Sequence, residues 1–335
     1  MKKPSLHKIA VIGGGSWATA LVKILSEQPS NQVRWWLRSQ ADIDHIRAYH
    51  HNPRYLSDVF HSPKKVKVCA KIKDAIRDAD YVVLAVPAAF VQEPLEGLKP
   101  ADFLGKRVVS AIKGMIPDTN QLVTDWMEEK FGVPLDDICV IAGPCHAEEV
   151  AQEKQSYLTI ASTNPDCSAD FAEIVTCRYV TAHPLADLYG VEYAAVMKNI
   201  VALACGITYG LGYGDNFQAV MVSNAMQEIR RFVTAVDPRE RDMSASAYLG
   251  DLLVTAYSQF SRNRLFGNMI GRGYSVTAAQ VEMKMIAEGY YATKSIHTLN
   301  KSYGVAMPIT DAVYRILYEG ASPGSVMDEL KAELR

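Results

Sequence analysis

The chain has 335 residues, of which 49% are hydrophobic and 21% charged. That composition excludes a disordered tail, which would be polar and strongly charged, and the length excludes a stapled mini-protein with too little core. The 35 basic and 37 acidic side chains leave a formal net charge of −2, which argues against non-specific binding to a polyanion, so no nucleic-acid partner is expected.

At roughly 150 residues per domain, two domains are expected. In chain order, strands are expected at 8–12, 32–37, 66–68, 81–86, 107–111 and 138–142, and 157–161 and 178–180 are candidates to extend the series. Most of these runs are apolar on both faces and are separated by helix-length segments. That pattern belongs to a doubly wound, mostly parallel α/β sheet covered by helices on both sides, the Rossmann architecture. Near Asp187 the pattern changes to long amphipathic stretches with little strand character. Val191, Ala194, Ala195, Lys198, Val201, Ala202 and Cys205 recur at helical spacing, and further helices are expected at 217–236, 246–260, 277–288 and 292–303. The expected division is a Rossmann domain over 1–188 and an all-α domain over 189–335.

No apolar run approaches the ~18 residues that would span a bilayer. Lys2, Lys3 and Lys8 precede an apolar run that is too short for a secretory leader and ends in three glycines. The six cysteines form no C-x-x-C pair and are expected to be reduced, in a cytoplasmic protein. The eight histidines show no metal-ligand spacing, so no metal is expected, and His50-His51 ahead of Asn52-Pro53 is read as a wet loop.

The sequence Gly13-Gly14-Gly15-Ser16-Trp17-Ala18 closes the first strand and opens a helix near Ser16. This is a G-x-G-x-x-A turn. Gly13 permits the bend, Gly15 lets backbone approach a pyrophosphate, and Ala18 lets the helix pack on the strand. The helix N-terminus then offers N–H groups and partial positive charge to phosphates. At the end of the second strand, where an acidic residue would bond a ribose 2′-hydroxyl, the chain has Arg38-Ser39. A guanidinium there suits a 2′-phosphate and leans towards NADP over NAD, although a solvated or adenine-stacked arginine remains open.

Several segments together resemble the NAD(P)-dependent glycerol-3-phosphate dehydrogenases of bacterial type. They are GGGSWATAL from Gly13, VPAAF from Val86, SAIKG from Ser110, AGP from Ala142, GVEYAAVMKNIVALACGI from Gly190, LGDLLVT from Leu249, SRNRLFG from Ser261, AEGYYATK from Ala287 and MPIT from Met307. The resemblance implies a Rossmann domain followed by a helical domain. It also implies interconversion of dihydroxyacetone phosphate and sn-glycerol 3-phosphate by hydride transfer at C2, for glycerophospholipid synthesis, and a homodimer. It implies Lys198 as acid/base, with Lys113 and Asp251 completing the catalytic set. Gly13, Gly15, Ser16, Trp17, Arg38, Lys113, Ala147, Arg262, Ile286 and Glu288 would contact cofactor. Lys113, Gly143, Cys145, Lys198, Asn199, Asp251, Thr255, Ser261, Arg262 and Asn263 would contact substrate.

The residues themselves leave alternatives open. Lys198 sits on a small, apolar helix face, where a lysine either serves a ligand or snorkels to water. Asp251 and Thr255, four apart, share a helix face, and Asp251 could equally be a cap. Ser261-Arg262-Asn263-Arg264 offers donors for a phosphate or forms a solvated basic turn. Cys145-His146-Ala147 departs from the Thr-Phe or Ser-Phe usual after the AGP turn, and Phe217-Gln218 and Ser223-Asn224 stand where Lys or Arg is common in the family. A related hydroxy-acid dehydrogenase and a non-catalytic dinucleotide sensor are therefore carried as alternatives.

Overall fold

The computed structural model describes residues 6–283 and 287–335. The chain divides into two compact units, Met1–Ile112 with Val123–Leu188, and Lys113–Leu122 with Tyr189–Arg335.

The first unit carries strands β1 (His7–Ile12), β2 (Asn31–Trp36), β3 (Val66–Cys69), β4 (Tyr81–Leu84), β5 (Arg107–Ser110), β8 (Ile138–Ala142), β9 (Ser156–Ala161) and β10 (Val180–Leu185); β6 (Met115–Ile116) and β7 (Gln121–Leu122) lie in the second. The eight strands form one sheet in the order β10-β9-β8-β5-β4-β1-β2-β3. Every pairing is parallel except β8 with β9, so the sheet is mostly parallel. The β8–β9 connection holds only a five-residue helix and turns back instead of crossing over. The expected strand at 178–180 begins at Val180 and runs on to Leu185 beside β9.

Helices α1 (Ser16–Glu27), α2 (Gln40–Tyr49), α3 (Ile72–Ile76), α4 (Gln92–Leu95), α5 (Pro100–Phe103), α6 (Val123–Phe131), α7 (Ala147–Ala151) and α8 (Pro165–Val175) join these strands. Ile9 to Ile12 and Val82 to Leu84 are wholly buried, as strands covered on both faces must be. Ile9, Val11, Leu21, Leu25, Val33 and Trp35 belong to one core between the sheet and its helices.

The second unit holds the antiparallel pair β6–β7 and helices α9 (Leu188–Gly210), α10 (Asp215–Val236), α11 (Asp251–Tyr257), α12 (Arg262–Gly271), α13 (Val276–Glu282), α14 (Glu288–Asn300), α15 (Pro308–Tyr318) and α16 (Pro323–Glu333). By length and hydropathy α9 could cross a membrane, yet its apolar window is entirely buried, as in the core helix of a folded unit. The expected helix at 246–260 is a π-helical turn, Ser246–Gly250, followed by the short α11. The expected helices at 277–288 and 292–303 are α13 and α14, with different ends; residues 284–286 lie outside the described residues.

Helix α12 was not anticipated, because its buried face is Asn263, Phe266, Gly267 and Ile270, with little apolar signal. Glycine explains how it packs. A Cβ on Gly206 of α9 would drive into the Arg264 carbonyl, and one on Gly267 of α12 into the Leu203 carbonyl. The two backbones meet along this seam, which no larger residue could keep.

Candidate active site

In the first unit the glycine turn has the shape of a dinucleotide cradle. Gly13 has φ +137°, a region that favours glycine, and a Cβ there would run into the Ala85 carbonyl. In front of Gly15 a Cβ would meet nothing within 4 Å. Gly15 is the N-cap of α1 and no side chain caps the helix, so its first N–H groups are available to a phosphate. No acidic side chain sits in the first turn to oppose an anion. These features fit the pyrophosphate of a dinucleotide. Ser16 begins α1, and Trp17 packs partly buried against the core.

Two residues missed in the sequence brace this turn. The Trp35 indole N–H donates to the Gly13 carbonyl at 2.6 Å, and the Asn52 amide donates to the Gly14 carbonyl at 3.1 Å and to Thr19 Oγ1 at 2.9 Å. Asn52 Oδ1 accepts from the Arg54 and Tyr55 N–H groups, forming an Asx turn. Asn52 itself is wholly buried, while His50 and His51 beside it are half-buried in the loop. The Asn52-Pro53-Arg54 turn chemistry was the available signal.

Arg38 is exposed just beyond β2 and pairs with Glu93. Gly143 has φ +110°, and a Cβ would come within 2.7 Å of the Tyr157 carbonyl, so glycine is required where β8 ends. Cys145 is half-buried against the core, His146 occupies the N-cap position of α7, and Ala147 begins that helix.

In the second unit three of the charged candidates, Lys113, Lys198 and Asp251, converge. Lys198, midway along α9, is only 5% exposed, and its ammonium ends on Asp251 and on Thr255 Oγ1, the latter at 2.8 Å. Asp251 opens α11, directly after the π-helical turn, and is 1% exposed. The second cation is Lys113, whose Nζ lies 3.0 Å from Asp251 Oδ2 and 3.3 Å from Oδ1. One carboxylate therefore faces two ammonium groups. Thr255 donates to the Asp251 carbonyl at 2.7 Å, which fixes the hydroxyl as an acceptor for Lys198.

The electrostatics follow from burial. Burial lowers the Lys198 pKa to about 7; Asp251 opposes that shift and Lys113 adds to it. Burial alone would raise the Asp251 carboxyl, but Lys113 and Lys198 outweigh it and hold it below the usual carboxylate range.

A second network joins the elements that carry the remaining candidates. The Asn199 amide donates to the Lys113 carbonyl at 2.7 Å, and the Asn263 amide donates to Asn199 Oδ1 at 2.9 Å. The Gly289 N–H donates to Asn263 Oδ1 at 2.9 Å. This chain links the 113 segment, α9, α12 and the start of α14. Gly289 must be small, since a Cβ would come within 2.6 Å of the Asn199 carbonyl. Ser261 is the N-cap of α12, its hydroxyl accepting from the Arg264 N–H at 3.3 Å, and exposed Arg262 is the first residue of that helix. Glu288 is the first residue of α14 and half-buried, while Ile286 lies outside the described residues. Gln218 is buried and donates to the Cys205 carbonyl and Thr208 Oγ1, a link between α9 and α10. No cluster of three or more potential metal ligands occurs among the described residues.

A mostly parallel sheet with a phosphate-ready glycine turn, and a buried lysine poised on a carboxylate, are the parts of a dinucleotide-dependent oxidoreductase. Comparison with known proteins narrows that class. The family profile described as NAD-dependent glycerol-3-phosphate dehydrogenase N-terminus matches residues 8–168, and the corresponding C-terminus profile matches 187–328. The chain is 36% identical over 331 residues to glycerol-3-phosphate dehydrogenase [NAD(P)+] of an Exiguobacterium species, covering 98% of this chain and 96% of the relative. It is 35% identical over 332 residues to the Bacillus subtilis protein of the same name, covering 98% and 94%. A crystal structure of glycerol-3-phosphate dehydrogenase from Coxiella burnetii superposes with a TM-score of 0.90 at 31% identity, covering 98% of this chain and 99% of that one. The chain belongs to the NAD-dependent glycerol-3-phosphate dehydrogenase family.

Proposed function

We propose that this chain is an NAD(P)-dependent oxidoreductase that interconverts dihydroxyacetone phosphate and sn-glycerol 3-phosphate. The observation that carries the mechanism is the buried Lys198 ammonium seated on Asp251 beside Lys113. In the reduction direction Lys198 donates a proton to the substrate's C2 oxygen, and in oxidation the neutral amine takes it back. A pKa near 7 suits both directions, since each protonation state is then populated at neutral pH. Asp251 orients the amine, and its charge keeps Lys198 from losing its proton altogether. Lys113 balances the same carboxylate and contacts the substrate. When bound, the dinucleotide supplies or accepts the hydride at C2.

Residues 1–188 act as the dinucleotide-binding domain and 189–335 as the substrate and catalytic domain, with the 113–122 segment serving the latter. Arg262, at the N-terminus of α12, binds the substrate phosphate with the help of the helix dipole. Asn199 and Asn263 hold Lys113, Arg262 and Glu288 in mutual register through their hydrogen-bond chain. In the first unit, Gly143 and the Cys145 backbone are assigned to substrate, and Ser16, Trp17 and Ala147 to the dinucleotide. Arg38 favours NADPH over NADH. The enzyme is cytoplasmic, dimeric and supplies glycerophospholipid synthesis. Family membership disfavours both the hydroxy-acid and the sensor alternatives.

The test is initial rates with each reduced cofactor on dihydroxyacetone phosphate and on dihydroxyacetone. Turnover of the phosphorylated ketone, with a loss of kcat/KM on dephosphorylation of at least about 100-fold, is expected if Arg262 and its neighbours supply charge-assisted bonds. Equal rates on the two ketones would remove the phosphate from the assignment.

A further inference from the structure

Sheet order places β1 between β4 and β2, so the segments leaving β4 and β2 flank the glycine turn that ends β1. Arg38 follows β2, and Glu93 sits in the first turn of α4, beyond β4. Their side chains meet, with Arg38 Nη1 3.2 Å from Glu93 Oε2 and 3.4 Å from Oε1. This ion pair therefore bridges the two segments bordering the cradle.

The neighbouring charges on α2 are otherwise engaged. Asp42 pairs with Arg54, and Asp44 lies 3.7 Å from Arg47 and accepts from Gln40. The Ser39 hydroxyl accepts from the Asp42 N–H as the cap of α2. The guanidinium available at the end of β2 is thus already matched by a carboxylate before any ligand arrives.

We propose that Glu93 is a specificity-determining residue, which competes with the cofactor's 2′-phosphate for Arg38 and so sets the preference between NADPH and NADH. The proposal rests on the reading above that Arg38 faces the 2′ position. A 2′-phosphate must displace the Glu93 carboxylate from Arg38 and then tolerate it nearby as a like charge. A 2′-hydroxyl meets neither obstacle. Both side chains are more than half exposed, so the pair is weak and exchangeable, and Glu93 acts as a moderator of preference, short of a block.

The experiment measures the ratio of KM for NADPH to KM for NADH in wild type, Glu93→Gln and Arg38→Ala, at low and at high salt. Competitive inhibition by 2′,5′-ADP and by 5′-AMP is measured in parallel. Arg38→Ala is expected to raise the KM ratio at least about fivefold. Glu93→Gln is expected to lower it about two- to fivefold, the range of an exposed ion pair, and to tighten 2′,5′-ADP relative to 5′-AMP by the same factor. Both differences should shrink at high salt, which a packing effect would not do. An unchanged ratio in Arg38→Ala would overturn the placement of Arg38 and the inference with it. A raised ratio in Arg38→Ala beside an unchanged or raised ratio in Glu93→Gln would overturn the role of Glu93 alone.

Discussion

Replacing Asp251 with Asn keeps the shape of the side chain and deletes a negative charge that faces both Lys198 and Lys113. Asp251 and Lys198 are both almost fully buried, so water cannot stand in for the lost charge. Removing one partner of a buried ion pair costs about 3–5 kcal/mol of stability, because the other charges are left uncompensated. The amine responds as well. Burial and Lys113 push the Lys198 pKa down, and Asp251 opposes them. Without the carboxylate, that pKa should fall below about 7. Ketone reduction needs the protonated amine, so the rate declines as pH rises through its pKa. The assay is kcat/KM for ketone reduction across pH, read from loss of reduced nicotinamide absorbance, with urea unfolding alongside. In Asp251→Asn the decline should move to lower pH, and the unfolding midpoint should drop. Adding Lys113→Met should return part of the lost stability, since it removes one of the two cations that faced the carboxylate. An unmoved pH profile with stability within about 1 kcal/mol of wild type would refute the shared-carboxylate geometry.

Three further outcomes follow from the same structure. Gly13→Ala places a Cβ against the Ala85 carbonyl at φ +137° and should abolish dinucleotide binding in a fluorescence titration, whereas wild-type affinity would contradict the cradle. Asn263→Ala breaks the chain between Asn199 and Gly289 and should cost about 1–3 kcal/mol in a denaturant melt and raise the substrate KM, since the groups it held are left buried without a partner. Burial raises the Glu228 pKa to about 7, although it accepts from the Ile309 and Thr310 N–H groups and the Thr310 hydroxyl. A raised folded-state pKa gives stability that is complete below the unfolded value of 4.5 and lost as pH rises through about 7. Wild type should therefore lose at most about 3 kcal/mol relative to Glu228→Gln between pH 5 and 8, and parallel pH curves would contradict this.

The strands and the glycine turn were legible because their signal is local: apolar runs such as Ile9–Ile12, then glycines whose missing Cβ is itself the function. Lys198 was legible as an anomaly, a lysine among alanines on a helix face. What escaped depends on long-range contact. Helix α12 buries glycine and asparagine because its backbone touches that of α9, so hydrophobic periodicity had nothing to register. Asn52 looked like a loop residue beside two histidines, and only the folded chain carries its amide to Gly14, 38 residues away. Likewise, the grouping of 113–122 with the helical unit rests on contacts such as Asn199 to the Lys113 carbonyl, which no local pattern encodes. The short π-helical turn ahead of Asp251 carries no periodicity of its own, yet it opens the helix that brings this carboxylate to both lysines.

The central claim is that the Lys198 amine exchanges a proton with the substrate's C2 oxygen. Its most direct test is the turnover of Lys198→Ala with dihydroxyacetone phosphate, in protein shown by fluorescence titration still to bind reduced nicotinamide cofactor. A fall in kcat of about 10²- to 10⁴-fold is the expected result for a lost general acid. Turnover close to wild type would contradict the assignment.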